Sequence, residues 1–222
     1  MSNKIFVKRL VVSALFSVIA YLVTFVFRFN VMFLTFDLKD AIIAILSFLF
    51  GPVYGVLSAL VVALLELFSV SDTGLYGFIM NFLSSGTFAF VCGIIYKYKH
   101  TIFGAVLSLA LGSVSVVVVM LIANIFITPF YMGVNTREVI ALIPTLLLPF
   151  NLAKTIINAS ATMVIYKPIT NILRRMRVIE GNSQMSVSFK SVIVTVVSVL
   201  LIVAMSLFVI LYLNGVFELF RY

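Results

Sequence analysis

Lys154 places a charge inside an apolar run, Leu146-Leu147-Leu148-Pro149-Phe150-Asn151-Leu152-Ala153-Lys154-Thr155-Ile156-Ile157-Asn158. A lysine at the centre of a membrane-crossing helix costs about 2.5–3.5 kcal/mol on insertion scales, so it normally faces a cavity or a partner. At 3.6 residues per turn, Asn151, Lys154, Thr155, Asn158 and Thr162 fall within an arc of roughly 100°. The rest of that helix is aliphatic. One cation and two amides therefore look inward at something polar. A ligand is one reading of that stripe. A fold-holding ion pair between Lys154 and a buried Glu66 is the other.

Further polar groups punctuate the apolar segments. Asn124 and Thr128 stand one turn apart in Asn124-Ile125-Phe126-Ile127-Thr128-Pro129-Phe130-Tyr131. An asparagine amide can pair with the edge of a uracil- or isoalloxazine-like ring, or it can serve as interhelical glue worth about 0.6 kcal/mol. Asn81, Ser84 and Ser85 follow Thr73-Gly74-Leu75-Tyr76-Gly77, where glycines can let backbone approach a ligand or simply form an outer loop. Ser13, Ser17 and Ala20 recur at i, i+4 and i+7, small side chains that admit a close helix neighbour, internal or from another subunit. The absences narrow the chemistry. The sequence has no phosphate-loop signature, no His/Cys/carboxylate cluster with metal-ligand spacing, and a single histidine, His100, in a turn beside lysines. Intramembrane catalysis finds no support, no metal or cofactor is implied, and a small-molecule binder rather than an enzyme is left.

The elements that must position these residues are membrane helices. Of 222 residues 64% are hydrophobic and 10% charged, too little polar surface to clothe a soluble domain. The net charge of +8 sits mostly at helix ends, which argues against nucleic acid, and the single Cys92 excludes an internal disulfide. The apolar runs predict an all-α polytopic membrane protein with spans at about 5–27, 38–51, 52–70, 78–97, 101–127, 138–168 and 189–214. The first is read as a retained helix, since no small-residue cleavage site follows it. The second is short and parted from the third by Gly51-Pro52, which suggests a pocket-lining segment at 29–37 feeding an oblique helix.

Lys and Arg set the orientation. With the N-terminus in the cytoplasm, the inner side holds Lys4, Lys8, Arg9, Lys97, Lys99, Lys167, Arg174, Arg175, Arg177 and Lys190. Arg28, Lys39, Arg137, Lys154 and Arg221 fall outside or within the membrane. Segments 29–39, 71–76 and 130–138 are then external, with Asp37, Asp40 and Asp72 near Lys39 and Arg137. The polar stretch 174–190 divides six polar-punctuated spans from a last one of nearly pure Val, Ile and Leu, expected at the periphery against lipid. The organisation read from this is a membrane domain at 1–177, a cytoplasmic linker at 178–190, and an additional helix with a short outside tail at 191–222.

Five segments in order carry a family resemblance: Asp37-Leu38-Lys39-Asp40, Phe50-Gly51-Pro52-Val53-Tyr54-Gly55, Thr73-Gly74-x-x-Gly77-x-x-x-Asn81-Phe82, Asn124-x-Phe126-x-x-Pro129-x-Tyr131 and Pro149-Phe150-Asn151-x-x-Lys154. Together they resemble the riboflavin-specific S component of energy-coupling factor (ECF) transporters. The resemblance implies a six-helix S-component bundle, here with one extra C-terminal transmembrane helix, in the plasma membrane of a prokaryote. It implies capture of riboflavin, with FMN as a further candidate, from outside. Asn124 and Asn151 would pair with the pyrimidine edge of the isoalloxazine, and Lys154 would donate to a ring carbonyl or a ribityl hydroxyl. Asp40 would accept from ribityl hydroxyls, while Leu34, Phe36 and Phe33 would supply ring contacts and a lid. Thr73, Gly74, Asn81 and Tyr131 complete the expected binding set. Uptake would be driven by a transmembrane coupling subunit and two cytoplasmic ATPases, docked on the first helix at Ser13, Ser17 and Ala20. Two departures stand out: Glu66 occupies a position where a basic residue is expected, and the helix from 191 has no counterpart. An S component for another planar-ring vitamin, or a structural membrane subunit, are the alternatives.

Overall fold

The computed structural model describes residues 3–71, 73–175 and 189–213. Asp72, most of the linker and the C-terminal tail lie outside the described residues. The chain forms α1 (Asn3–Val26), a hairpin of β1 (Phe29–Val31) and β2 (Leu34–Phe36), then α2 (Lys39–Phe50), α3 (Pro52–Ser69), α4 (Gly74–Tyr98) and α5 (Ile102–Met132). A short α6 (Thr136–Leu142) leads through a π-helical turn (Ile143–Leu147) into α7 (Leu148–Arg175), and α8 (Phe189–Leu213) follows.

Among the described residues, five helical stretches are long and apolar enough to cross a bilayer: Ile5–Val26, Pro52–Ser69, Gly74–Tyr98, Ile102–Met132 and Thr136–Arg175. α2 has 12 residues, about 18 Å of rise, short of the roughly 30 Å hydrocarbon core. It is instead the central helix, buried along most of its length from Lys39 to Phe48. It can be short because the hairpin covers its start and α3 leaves at once from its end. Gly51, at φ +96°, makes that reversal, and Pro52 opens α3 without a lost hydrogen bond.

The expected pocket-lining segment is the β-hairpin. Phe29 pairs with Phe36 and Val31 with Leu34, while Met32 takes a left-handed φ of +54° in the turn. Val31, Leu34 and Phe36 bury themselves with Leu146, Leu147, Phe150 and Ile157, which seats the hairpin on α7. A second core joins α1, α2, α3 and α4 around Phe16, Ile43, Leu46 and Val62. A third joins α2, α4 and α5 around Phe48, Phe88, Leu109 and Val116. Large apolar side chains left outward, such as Leu22, Phe25, Val114, Val118 and Ile122, form the belt a lipid environment accepts. α8 packs on α7, turns Val196, Val197, Leu200 and Val203 outward, and buries Ser198. Its peripheral position matches its composition.

The α2–α3 reversal presses on α4 at Gly93, where an added Cβ would lie 2.8 Å from Pro52 Cα and 2.9 Å from Pro52 N, and closer still to Ser47 Oγ. That backbone cannot yield without moving the turn. Gly93→Ala is expected to destabilise the fold by about 1–3 kcal/mol, as core overpacking does. A thermal melt in detergent checks this: an unchanged midpoint would show that the contact is slack.

Candidate functional site

The site is built around four charges in line. Glu66, in the apolar helix α3, accepts from Lys39 Nζ at 2.8 and 2.9 Å. Lys39 Nζ also reaches Asp37 Oδ2 at 3.2 Å, and that same oxygen accepts from Lys154 Nζ at 3.0 Å. None of these side chains is more than 8% exposed. The order Glu66–Lys39–Asp37–Lys154 alternates in sign and sums to zero, which is how charge can be held at low dielectric.

Each member is held by hydrogen bonds from different elements. Thr24 of α1 donates to Glu66 Oε1 at 3.3 Å and Asn81 of α4 donates to Oε2 at 2.9 Å. Asn158, one turn beyond Lys154, donates to the Asp37 carbonyl at 2.9 Å and accepts from the Ala41 amide at 3.0 Å. Lys154 donates further to the Thr35 carbonyl at 3.1 Å. The polar stripe of α7 thus docks the hairpin and the start of α2. Asp37 lies in the segment between β2 and α2. Burial raises its carboxyl, but the Lys154 and Lys39 ammonium groups more than offset this and hold it at about 2.

The ion pair weighed for Lys154 forms with Asp37, while Glu66 takes Lys39. Lys39, Asp37 and Asp40, placed by sequence in an outer loop, are buried at 2%, 0% and 4% exposure. The reason is their partners on α3, α4 and α7, since Lys39 reaches Glu66, Asp40 reaches Ser85 and Asp37 reaches Lys154. Glu66 and Lys39 were the members that sequence reasoning did not pair. The signal was present, since an acid in an apolar helix demands a cation as surely as Lys154 demands an anion.

Beside this chain of charges opens a cavity of about 160 Å³. Phe33, Leu34, Thr73, Asn81, Tyr131, Asn151 and Lys154 all line it, so seven of the eleven sequence-predicted binding residues converge there. Phe150, Met80 and Met120 add apolar wall, and Arg28, Asn30, Thr35 and Glu66 add polar groups the sequence had not singled out for binding. Phe33, Tyr131 and Tyr76 form a run of rings, with centroids 6.1 Å and 6.0 Å apart. Among the described residues Lys154 has two partners for three N–H donors. Asn151 donates to the Leu147 carbonyl at 2.7 Å, and among the described residues its Oδ1 accepts nothing. A donor and an acceptor beside aromatic and thioether walls suit a flat ring with a polar edge.

Four predicted residues do not line this cavity. Asn124 is fully buried, donates to the Met120 carbonyl at 2.7 Å and accepts from Thr128 at 2.8 Å, both on its own helix. Asp40 accepts from Ser85. Phe36 stacks on Phe29 and meets Phe150 edge-on. Gly74, at φ +57°, starts α4 beside Thr73. The small-residue face of α1 turns inward as well. Ser17 shares a 2.7 Å hydrogen bond with Ser58 of α3, Ala20 is fully buried, and half-buried Ser13 bonds the Arg9 carbonyl. The close neighbour that Ser17 admits is α3 of the same chain.

The chain is similar in sequence and in fold to known proteins. Residues 8–166 match the family model described as ECF transporter, substrate-specific component. The chain is 32% identical over 179 residues to the riboflavin transporter RibU of Staphylococcus aureus (strain TCH60), covering 76% of this chain and 93% of that protein. A solved structure of the S component of a bacterial ECF transporter superposes with a TM-score of 0.64 at 30% identity, covering 76% of this chain and 98% of the other. α8 lies beyond the residues the family model matches.

Removing one partner of a buried pair strands the other, at about 3–5 kcal/mol. Lys39→Met alone should therefore melt far below the parent. Lys39→Met combined with Glu66→Gln should recover much of the loss, because no lone carboxylate remains. Thermal melts of the two variants check it, and a double variant no better than the single would show that Lys39 contributes through packing.

Proposed function

The chain belongs to the substrate-specific components of ECF transporters, and on that premise we propose that it captures riboflavin from the outer side of the plasma membrane for ATP-driven uptake. The observation that carries the reading is the pairing of Lys154 and Asn151, a spare donor and a spare acceptor on one face of α7, beside an aromatic-walled cavity. The pyrimidine edge of an isoalloxazine alternates carbonyl acceptors with a ring N–H. Asn151 Oδ1 accepts from that N–H and Lys154 donates to a neighbouring carbonyl. Leu34, Phe33, Met80 and Tyr131 flank the ring, and Thr73 and Asn81 meet the ribityl hydroxyls. Asn124, Asp40, Phe36 and Gly74 shape the walls from behind.

The cavity of about 160 Å³ is below the roughly 300–1,000 Å³ of sites for drug-sized ligands. A flavin therefore enters as the hairpin shifts off α7, giving up packing on Phe150 while Asp37 at its base keeps Lys39 and Lys154. The N-terminus faces the cytoplasm in this reading, which the basic ends of α4 and α7 support. Residues 1–177 form the binding domain, followed by a cytoplasmic linker at 178–190 and the additional helix. A transmembrane coupling subunit with two ATPases supplies the energy, and it engages the exposed apolar face of α1 around Leu15, Val18 and Leu22. This face lies beside the expected one at Ser13, Ser17 and Ala20, of which Ser17 and Ala20 are buried within the chain.

Purified in mild detergent, the protein is expected to quench added riboflavin fluorescence with saturation, and FMN titrated in parallel ranks the two flavins. Lys154→Ala should weaken binding by about one to two orders of magnitude, the worth of a hydrogen bond to a charged group. Asp37 keeps Lys39 as a partner in that variant, so the melt should change less than in Lys39→Met. A folded parent protein that fails to quench riboflavin overturns the proposal.

A further inference from the structure

A second cavity, of about 590 Å³, lies at the far end of the bundle, among the ends of α4 and α7 and the starts of α5 and α8. Asn151 and Arg174 sit on one helix, so about 35 Å of helical rise separates the two sites. Lys167, Arg174, Arg175 and His100 line the second one, and among the described residues no carboxylate does. The Nε of Arg174 is buried there without a hydrogen-bond partner among the described residues. A guanidinium donor left unmatched in a basic cavity is an unmet demand for an anion.

Two further features answer the same demand. α5 begins at this cavity, with Thr101 Oγ1 accepting from the Gly104 amide at 3.0 Å and Ile102 in the lining. The positive end of that helix dipole adds to the cations. On the deep side, the Tyr96 and Tyr166 hydroxyls hydrogen-bond at 2.8 Å. The outer wall is Val194 and Thr195 of α8, and beyond it α8 exposes Val196, Val197 and Leu200. An anion held here sits where apolar helix surface meets a ring of cations.

The geometry points to a binding site for the phosphate of an anionic phospholipid, with the headgroup among Lys167, Arg174 and Arg175 and the acyl chains along α8. A free phosphate shares the headgroup chemistry, but it gains nothing from the apolar outer wall. Most of the site lies beyond residue 166, where the family match ends. The extra helix thus completes a lipid site at the interface, and no residue proposed for flavin binding takes part in it.

The test uses the full chain in a neutral detergent, with thermal stability read after adding phosphatidylglycerol, phosphatidylcholine or inorganic phosphate. Phosphatidylglycerol alone is expected to raise the midpoint. The triple variant Lys167→Gln, Arg174→Gln, Arg175→Gln should lose that shift, with phosphatidylglycerol binding roughly fivefold weaker per cation removed. Lys97→Gln, which removes an exposed cation outside the cavity, should keep it. An equal shift with phosphatidylcholine, or a shift retained in the triple variant, overturns the proposal. The same shift from inorganic phosphate alone overturns the lipid assignment in favour of a soluble anion. Native mass spectrometry of the unaltered chain with equimolar phosphatidylglycerol and phosphatidylcholine needs no variant, and there equal retention of the two lipids counts against the site.

Discussion

Glu66, Lys39, Asp37 and Lys154 stand in a line of alternating charge inside an apolar bundle, and the architecture around them follows from the need to keep that line paired. An ion taken out of water costs several kcal/mol even after relaxation, so each member holds the next in place. The line crosses from α3 through the start of α2 and the hairpin to α7. Thr24 and Asn81 tie its acidic end to α1 and α4. One electrostatic chain thereby ties together five helices and the hairpin. Apolar packing alone, which slides with little penalty, would not set their register.

The same chain explains how a membrane interior can present a spare donor. Lys154 is anchored by Asp37 and the Thr35 carbonyl, which point the ammonium at the cavity and leave one N–H over. Asn151, one turn earlier on the same face, has its amide N–H fixed by the Leu147 carbonyl, so its oxygen is aimed as well. The π-helical turn at Ile143–Leu147 sits just before this face, in a segment holding Pro144 and Pro149 that is poorly suited to regular helix. The family relationship says what kind of protein presents such a face, and the hydrogen bonds say how it is held ready.

Much of this was legible in the sequence, for reasons specific to particular residues. The inward stripe of α7 follows from one lysine and two amides at helical spacing, because only a polar interior tolerates them. The α2–α3 reversal follows from Gly51-Pro52, and the peripheral place of α8 from its uniform apolarity. Burial of Asp37, Lys39 and Asp40 was not legible, because a charged cluster before a helix reads equally well as a solvated loop. Pairing with Glu66, Ser85 and Lys154 on α3, α4 and α7, which no local pattern announces, turns it inward. Ser17 and Ala20 mark a close helix contact correctly, yet spacing cannot say whether the neighbour is α3 or another protein. Asn124 is spent on its own helix, a use its amide allows as readily as ligand binding.

The central claim is that the charge line aims Lys154 and Asn151 at the ligand, and a structure of the protein with riboflavin bound tests it most directly. The account predicts the isoalloxazine in the cavity beneath the hairpin, with its pyrimidine edge within hydrogen-bond distance of Lys154 Nζ and Asn151 Oδ1 and the line from Glu66 to Lys154 intact. A flavin seated elsewhere, or one in the cavity that leaves Lys154 bonded only to Asp37 and Thr35, would contradict it.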